Sequence, residues 1–329
     1  MFNISLSPHI HADSSVKRIM YDVIIALMPA VLLSIYYFGI GAFIVTFSSV
    51  FFCVLIEWFI QKYMLKKETS ILDGSAALSG LLLGLCLPAN LPIWIVFIGA
   101  VVTIGIAKMS FGGLGNNPFN PALVGRVFLL VSFPVQMTQW PVPSLSRMHY
   151  TDADTGATIL TKIKEALSMG ATVPEIMNDF PTYKEMFLGF TGGSIGEISE
   201  LALILGGIYL VYRKVISWHI PVIIIATMFL FAEILFNVDK DHYVNPIIHL
   251  LSGSTFLGAI FMATDYVTSP MKKTGMVIYA IGIGALTILI RVFGAYPEGI
   301  SFAILIMNAF VPLLNKIPGK RFGVIALNK

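Results

Sequence analysis

Residues 23–60 are VIIALMPAVLLSIYYFGIGAFIVTFSSVFFCVLIEWFI, and the only charged residue among them is Glu57. About 20 consecutive apolar residues suffice for an α-helix to cross a bilayer, so this segment predicts two membrane-spanning helices. The whole chain agrees, because 57% of its 329 residues are hydrophobic and 12% are charged, against about 25% charged in a soluble domain. We predict an integral membrane protein, which excludes a soluble enzyme, a nucleic-acid-binding protein and a disordered regulator.

Further apolar stretches bring the total to ten, and we expect an all-α polytopic membrane protein with ten transmembrane helices. The stretches are centred on residues 23–38, 41–60, 76–87, 93–107, 123–135, 201–212, 220–236, 247–263, 276–293 and 300–314. The third is short enough to be a broken helix. The first residues are polar and the first apolar stretch is followed by further spans, so we expect no cleavable signal peptide.

The positions of Lys and Arg predict the orientation of these spans. With the N-terminus in the cytoplasm, fourteen basic residues fall in cytoplasmic segments and five in outer segments, four of those five in one long loop. Arg126 and Arg291 lie within or at the edge of spans. Cytoplasmic loops carry the excess of Lys and Arg in membrane proteins. We therefore expect a multi-pass membrane protein with both termini in the cytoplasm.

A long outer loop divides the predicted spans into two sets of five. We expect a first half over residues 1–136, the outer loop over residues 137–199 and a second half over residues 200–329. An odd number of spans in each half places the halves in opposite orientations, as in an inverted repeat. Residues 79–84 (SGLLLG) and 252–258 (SGSTFLG) both begin with Ser-Gly and end with Leu-Gly, which favours such a repeat.

The outer loop contains Asp152-Ala-Asp-Thr155-Gly156-Ala157-Thr158, which fits the pattern D-x-x-[ST]-G-A-[ST] at every fixed position. This pattern resembles the recognition sequence of the flavin transferase that joins FMN through its phosphate to the final hydroxyl residue. That transferase works outside the cytoplasmic membrane, where this loop is predicted to lie. The alternative interpretation is a plain turn, because Asp, Thr and Gly are common turn residues.

A second polar segment, GGLGNNPFNPALVGR over residues 112–126, lies between the fourth and fifth predicted spans. Its glycines permit close approach to the backbone, and Asn116, Asn117 and Asn120 offer amide donors and acceptors. This combination suits a planar heterocycle with carbonyl and imide edges, such as an isoalloxazine. The alternative is an ordinary helix start, because Asn is a favoured N-cap and Asn-Pro often begins a helix.

The two motifs together resemble one protein family. N-x-x-N-P-A-L-x-G-R followed by [ST]-G-A-T is similar to the D subunits of Rnf complexes and to their homologue, the B subunit of the sodium-translocating NADH:quinone oxidoreductase. The resemblance covers the whole chain, with ten spans, a long outer loop and both motifs in order. The quinone-reducing homologue carries a longer N-terminal extension, so the short segment before the first span here favours the Rnf branch of the family.

The resemblance implies two flavin sites. Thr158 matches the threonine that bears FMN in a phosphoester bond, and the recognition frame of the transferase is matched by Asp152, Thr155, Gly156 and Ala157. Asn117 and Asn120 match asparagines that line a second, non-covalent flavin site, which holds riboflavin in the quinone-reducing homologue. We include the neighbouring Asn116 in this candidate site. The two flavins are then expected at opposite depths of the membrane.

The function that the resemblance implies is that of a membrane redox subunit of an ion-translocating ferredoxin:NAD oxidoreductase in the bacterial cytoplasmic (inner) membrane, coupled to Na⁺ or H⁺ transport. The expected partners are an outer FMN-bearing G subunit, membrane A and E subunits, cytoplasmic C and B subunits, membrane lipid and a flavin transferase during maturation. No P-loop or dinucleotide fingerprint is present, so NAD and ferredoxin should bind other subunits. We assign this chain no catalytic residue and no metal site, because Cys53 and Cys86 alone do not supply four ligands.

Ionisable residues occur near the ends of several predicted spans. Asp22, Glu57 and Arg126 lie near the predicted cytoplasmic interface, where we expect their side chains to reach water or lipid headgroups.

Two alternative functions of the protein stay open. Two five-span halves are also typical of a cofactor-free secondary transporter or channel, and a passive scaffold for redox subunits is the third possibility. Neither predicts the D-x-x-T-G-A-T motif, which therefore discriminates between the hypotheses.

Overall fold

The computed structural model describes residues 15–142, 155–177, 180–189, 192–197 and 199–317, and almost all of its regular structure is helical. The helices are α1 Val16–Phe38, α2 Ile40–Phe59, α3 Ser75–Leu85, α4 Ile93–Ala100, α5 Pro121–Ser132, α6 Pro134–Thr138, α7 Ile159–Ser168, α8 Val173–Met177, α9 Tyr183–Leu188, α10 Glu200–Tyr212, α11 His219–Val238, α12 Pro246–Leu251, α13 Thr255–Leu257, α14 Lys273–Phe293 and α15 Ile300–Leu314. Turns of π-helix extend α2, α4 and α13 over Ile60–Met64, Val101–Ile106 and Gly258–Met262. Strands β1 Trp140–Pro141 and β2 Thr155–Gly156 pair antiparallel.

Five helical segments are long and apolar enough to cross a membrane. They are Val16–Phe38, Ile40–Met64, Ile93–Phe111, His219–Val238 and Lys273–Phe293. Four further apolar helices are shorter, namely Ser75–Leu85, Pro121–Ser132, Glu200–Tyr212 and Ile300–Leu314. These nine segments correspond to nine of the ten predicted spans, and the predicted multi-pass, helical membrane protein is confirmed.

Helix α3 confirms the expectation that the third span is short. Its 11 residues rise about 16 Å at 1.5 Å per residue, about half of the 30 Å hydrocarbon core. The helix ends shortly before Pro88, which cannot continue it. It packs closely on α2, since a Cβ at Gly80 would lie 2.8 Å from the Cα of Val50. Such small residues let membrane helices approach each other.

The predicted eighth span, residues 247–263, is not one continuous helix, and here the sequence-based prediction is wrong. Helix α12 ends at Leu251, and α13 begins only at Thr255. Between them Gly253 adopts a φ of +69°, a conformation that favours glycine. The carbonyl oxygens freed by the break need donors inside a membrane protein. Arg291 at the end of α14 supplies them, donating to the carbonyls of His249 and Ser252.

The described part of the long loop packs against the same end of the bundle as this break. Helix α7 is amphipathic, and its residues Ile159 and Ile163 are buried against Val244 and Ile248, which flank the start of α12. This apolar cluster fastens the loop to the second set of helices. We refer to this end of the bundle as the α7 end, and to the end where α1 begins as the α1 end.

Candidate functional site

Thr158 lies at the junction of β2 and α7. The strand pairing of Thr155–Gly156 with Trp140–Pro141 fixes the chain just before it. Thr158 is the N-cap of α7, where its Oγ1 accepts a hydrogen bond from the backbone N–H of Thr161 at 3.3 Å. The two threonine hydroxyls lie 2.8 Å apart. The segment is therefore a strand followed by a helix cap rather than a plain turn. Asp152 lies outside the described residues.

Thr158 faces a narrow cleft beside the break between α12 and α13. Glu197, Ser252 and Gly253 line this cleft with Thr158. The carboxylate of Glu197 accepts a hydrogen bond of 2.5 Å from the hydroxyl of Ser254. The carboxylate of Glu197 thus lies on the side of Thr158 that faces the helix bundle. Its hydrogen bond to Ser254, in the break between α12 and α13, fixes its position.

A larger cavity, which we call the α7 cavity, lies under the apolar face of α7. It has a volume of about 360 Å³ and is bounded by Leu160 and Lys164 of α7, by His249 of α12 and by Arg291 of α14. The Nδ1 atom of His249 and the Nε atom of Arg291 are buried and have no hydrogen-bond partner. Partial burial lowers the pKa of the Lys164 amine. Cavities of about 300–1,000 Å³ with a few polar groups are typical of small-molecule sites.

Arg126 organises a buried polar cluster next to the break. Its guanidinium donates to the hydroxyls of Ser254 at 2.9 Å and Ser301 at 3.0 Å, and it forms an ion pair with Glu298. Only 2% of the Arg126 side chain is exposed. The expectation that this side chain reaches water or headgroups is therefore wrong. The arginine points into the protein because three other elements supply its partners there.

Glu57 and Asp22 are also buried and paired, again contrary to the expectation of water contact. The amine of Lys108 donates to Glu57 at 2.6 Å and to the hydroxyl of Ser75 at 2.7 Å. Asp22 accepts from the guanidinium of Arg213 at 3.1 Å. Each partner lies far away in sequence, so spacing along the chain contains no sign of these pairs.

The candidate asparagines lie at the α1 end. Asn120 is the N-cap of α5, and its Oδ1 accepts from the backbone N–H groups of Ala122 and Leu123 at 3.1 and 3.4 Å. Its Nδ2 donates to the carbonyl of Met262 at 3.1 Å. The helix-start interpretation is thus confirmed for Asn120, which also ties α5 to the end of the broken span.

Asn117 and Asn120 line a common cavity with Ser75, Lys108 and Asp265, which we call the asparagine cavity. Asn117 donates to the carbonyl of Phe119 at 3.1 Å, which leaves its other amide positions available. The volume of about 60 Å³ is well below the roughly 300 Å³ of the smallest usual ligand pockets. A flavin therefore does not fit into the asparagine cavity as it stands in this structure.

The structure separates the remaining candidate residues. Asn116 is exposed on the loop before α5 and does not line the asparagine cavity. Thr155, Gly156 and Ala157 precede Thr158 at the α7 end. The asparagine cavity and the α7 cavity share no lining residue. The two motifs therefore belong to two sites at opposite ends of the bundle.

Buried charged residues near both sites were not assigned a site role from the sequence. Lys108 and Arg291 each lie at the end of an apolar helix, and Glu197 lies in the long loop. A signal was available for Arg291, because a charge at the edge of a span is a functional hypothesis by default. No such signal existed for Glu197, since acidic residues in a polar loop are ordinary.

Comparison with known proteins identifies the family. Residues 3–323 match the family described as NQR2, RnfD, RnfE. The D subunit of the proton-translocating ferredoxin:NAD(+) oxidoreductase complex of Clostridium ljungdahlii is 45% identical, over 96% of this chain and 94% of that protein. The D subunit of the Na(+)-translocating complex of Acetobacterium woodii is 44% identical, over 99% and 96%. The resemblance inferred from the two motifs is thereby confirmed, and the chain belongs to the NQR2, RnfD, RnfE family.

Proposed function

We propose that this chain is the D subunit of an ion-translocating ferredoxin:NAD oxidoreductase complex of a bacterial cytoplasmic membrane, where it carries electrons across the bilayer. Two relatives that match nearly the whole chain are named as such subunits. The observation that carries the proposal is Thr158, because the attachment pattern ends on a hydroxyl that stands at a helix N-terminus beside a ligand-sized cavity. A cofactor-free transporter explains neither feature.

In this proposal Thr158 holds FMN through a phosphoester bond. The backbone N–H groups at the start of α7 point toward the phosphate and the helix dipole favours its negative charge. The β1–β2 pairing holds the chain just before Thr158, and because Thr158 is buried in the folded chain, attachment would precede the final docking of α7. A bound flavin supplies electron transfer in single-electron steps, while the protein positions and tunes it.

We propose that a second, non-covalent flavin, riboflavin in the homologue, binds at the asparagine cavity. Asn117 would hold the polar edge of the ring, since its amide keeps free hydrogen-bonding positions. Asn120 would form part of the wall of the site without bonding to the ring. Both atoms of its amide are already occupied, Oδ1 by the cap of α5 and Nδ2 by the carbonyl of Met262. Binding requires the loop before α5 to open, given the small volume.

The proposed topology has ten spans, with α12 and α13 together forming the eighth. Two corresponding contacts support an inverted repeat. In the first half Lys108, just after the fourth span, donates to the hydroxyl of Ser75 at the start of α3. In the second half Arg291, near the end of α14, donates to the hydroxyl of Thr255 at the start of α13 at 2.9 Å. Residues 79–84 and 252–258 are not equivalent, since only the second segment contains the break.

The proposed partners are the other subunits of the complex, namely an outer FMN-bearing G subunit, membrane A and E subunits and cytoplasmic B and C subunits. Both chain termini lie in the cytoplasm in this arrangement. The complex couples electron transfer to transport of Na⁺ or H⁺. The relatives named for the two ions are 45% and 44% identical, so overall similarity favours neither ion.

In-gel fluorescence tests covalent attachment. The chain is co-expressed with a flavin transferase, boiled in SDS and viewed under ultraviolet light. We expect a fluorescent band for the parent and for Thr161→Ala, and none for Thr158→Ala. Thr161→Ala is a matched control, because its hydroxyl lies 2.8 Å from that of Thr158. A dark parent band, with a known flavoprotein labelled in the same cells, would refute the proposal and favour the transporter.

Acid extraction tests the second flavin. Acid releases non-covalent flavin and leaves the phosphoester-linked flavin on the protein. We expect Asn117→Leu to lose the extractable flavin while the fluorescent gel band stays unchanged. Asn116→Leu is the control, since Asn116 lies outside the cavity. Equal extraction from both variants would contradict a site at Asn117.

A further inference from the structure

The α7 cavity has three features that the fold alone does not require. It retains about 360 Å³ of space under a helix whose apolar face otherwise packs tightly. His249 and Arg291 both lie in its wall, and one buried polar atom of each, Nδ1 of His249 and Nε of Arg291, has no hydrogen-bond partner. Lys164 adds a second cation to the wall. Buried polar atoms are almost always hydrogen-bonded in folded proteins, so this wall can take a further polar partner.

We propose that the isoalloxazine ring of the flavin carried by Thr158 lies in the α7 cavity, with Arg291 and Lys164 as positioning and tuning residues. This inference rests on the proposed attachment at Thr158. It adds the location of the ring and the groups that face it.

The cavity lies within reach of the attachment residue. Leu160, two residues after Thr158, already forms part of its wall. A ribityl chain can span one turn of helix, about 5.4 Å, and so connect a phosphate at the N-terminus of α7 with a ring beneath the same helix. The apolar side chains of α7 would cover one face of the ring.

Charge determines the direction in which the flavin leaves Thr158. On the bundle side stands Glu197, whose carboxylate is fixed by Ser254, and like charges in a poorly solvated cleft repel strongly. Toward the α7 cavity stand the cations Lys164 and Arg291, whereas the carboxylate of Asp239, which also lines it, is partly exposed and lies 3.2 Å from the imidazole of His242. An anionic phosphate and an electron-rich ring are therefore repelled on one side and attracted on the other.

The same cations would affect the chemistry of the ring. A reduced flavin carries more negative charge than an oxidised one, and positive groups close to it stabilise the reduced state. Arg291 and Lys164 should therefore raise the reduction potential of the flavin above its value without them. Hydrogen-bond donors and charges near the ring are the usual means by which a protein tunes a flavin.

The first test measures the midpoint potential of the covalently bound flavin in the purified full-length protein. Lys164→Gln is used because Arg291 also binds the carbonyls of the break and its loss would disturb the fold, whereas the amine of Lys164 donates to one carbonyl, that of Gly294. We expect the potential to shift to more negative values. Lys162→Gln is the matched control, since Lys162 is exposed on the same helix and does not line the cavity. Its potential should equal that of the parent.

The second test places a quencher at the cavity. Indole quenches flavin fluorescence on contact, so Phe293→Trp, at an exposed phenyl ring on the cavity wall, should lose most of the native-state fluorescence. Phe310→Trp in α15 is the control and should retain it, because Phe310 lines neither cavity. Native-state signals are divided by the fluorescence of the same sample after SDS, which corrects for flavin content.

The outcomes separate this inference from the proposed function. A bright SDS band together with the shift for Lys164→Gln and quenching for Phe293→Trp supports it. A bright SDS band with parent-like potential and fluorescence in both variants overturns it, since the flavin is attached but its ring lies elsewhere. A dark SDS band in the parent refutes attachment at Thr158, and this inference with it.

Discussion

Replacing Arg126 by Met should destabilise the protein by about 3–5 kcal/mol, the usual cost of removing one partner of a buried ion pair. The side chains of Arg126 and Glu298 are only 2% and 10% exposed. The substitution leaves the Glu298 carboxylate buried without its counter-charge. It also removes the donor to the hydroxyls of Ser254 and Ser301, and isolated buried charges are costly.

The double variant Arg126→Met/Glu298→Met should recover much of this loss. Replacing both members of a buried pair by apolar side chains of similar volume is often close to neutral. We therefore expect a coupling free energy of about 1–3 kcal/mol between the two positions. The free energy of unfolding is measured by SDS titration of the detergent-solubilised protein, followed by tryptophan fluorescence.

The pair of Arg213 with Asp22 is the matched control. Its atoms lie 3.1 Å apart, and Asp22 is as buried as Glu298, but 32% of the Arg213 side chain is exposed. Asp22 also keeps a hydrogen bond from the Tyr209 hydroxyl at 3.2 Å when Arg213 is replaced. Arg213→Met should therefore cost less than Arg126→Met, about 1 kcal/mol, the upper end for partly exposed pairs. Equal losses for Arg126→Met and Arg213→Met would refute the argument, because burial would then not determine the cost.

Three further predictions concern local structure. Asn120→Ala should lower the free energy of unfolding by about 1–2 kcal/mol, because the helix cap and the hydrogen bond to Met262 are lost. Asn120→Asp should keep the cap. Thermal unfolding in detergent measures the stability of both variants. In Gly125→Ala the new methyl group would overlap the hydroxyl of Thr103, which should lower the free energy of unfolding by about 1–3 kcal/mol. Adding Thr103→Ala should recover part of this loss, as measured by the same thermal unfolding assay. Hydrogen bonds from the N-cap lower the pKa of Glu185, so the contribution of this cap to α9 should be present above the ordinary glutamate pKa and lost as pH falls through the lowered value. Hydrogen exchange of the α9 amides should show that pH dependence in the parent and not in Glu185→Gln.

Predictions that depend on local sequence agree well with the structure. Apolar stretches of sufficient length identified nine helices, and the prolines after α3 explain why the third span is short. The Asn-Pro pair at residue 120 indicated a helix start, and Asn120 is the N-cap of α5. These features depend on hydrophobicity, on proline geometry and on caps, which act over a few residues. The two motifs were also sufficient to indicate the family.

Predictions that depend on distant partners failed. The eighth span was expected to be continuous, because residues 247–263 are apolar enough for one helix. The break at Gly253 exists because Arg291, 39 residues beyond Ser252, satisfies the exposed carbonyl groups. Arg126 was expected to reach water because its position suggested an interface. It is buried because Glu298 and Ser254 lie within reach only after the two halves have packed together.

Apolar stretches and the two motifs are enough to predict a helical membrane protein that a long loop divides, with candidate site residues at Thr158 and at the asparagines. The surroundings of these residues depend on the tertiary structure. It placed Glu197 on one side of Thr158 and a cavity with two cations on the other, and it made Asn120 a structural cap while Asn117 kept free amide positions. The physical reason is the low polarity of the interior, where every charge and every freed carbonyl needs a partner. Folding alone brings those partners from distant segments.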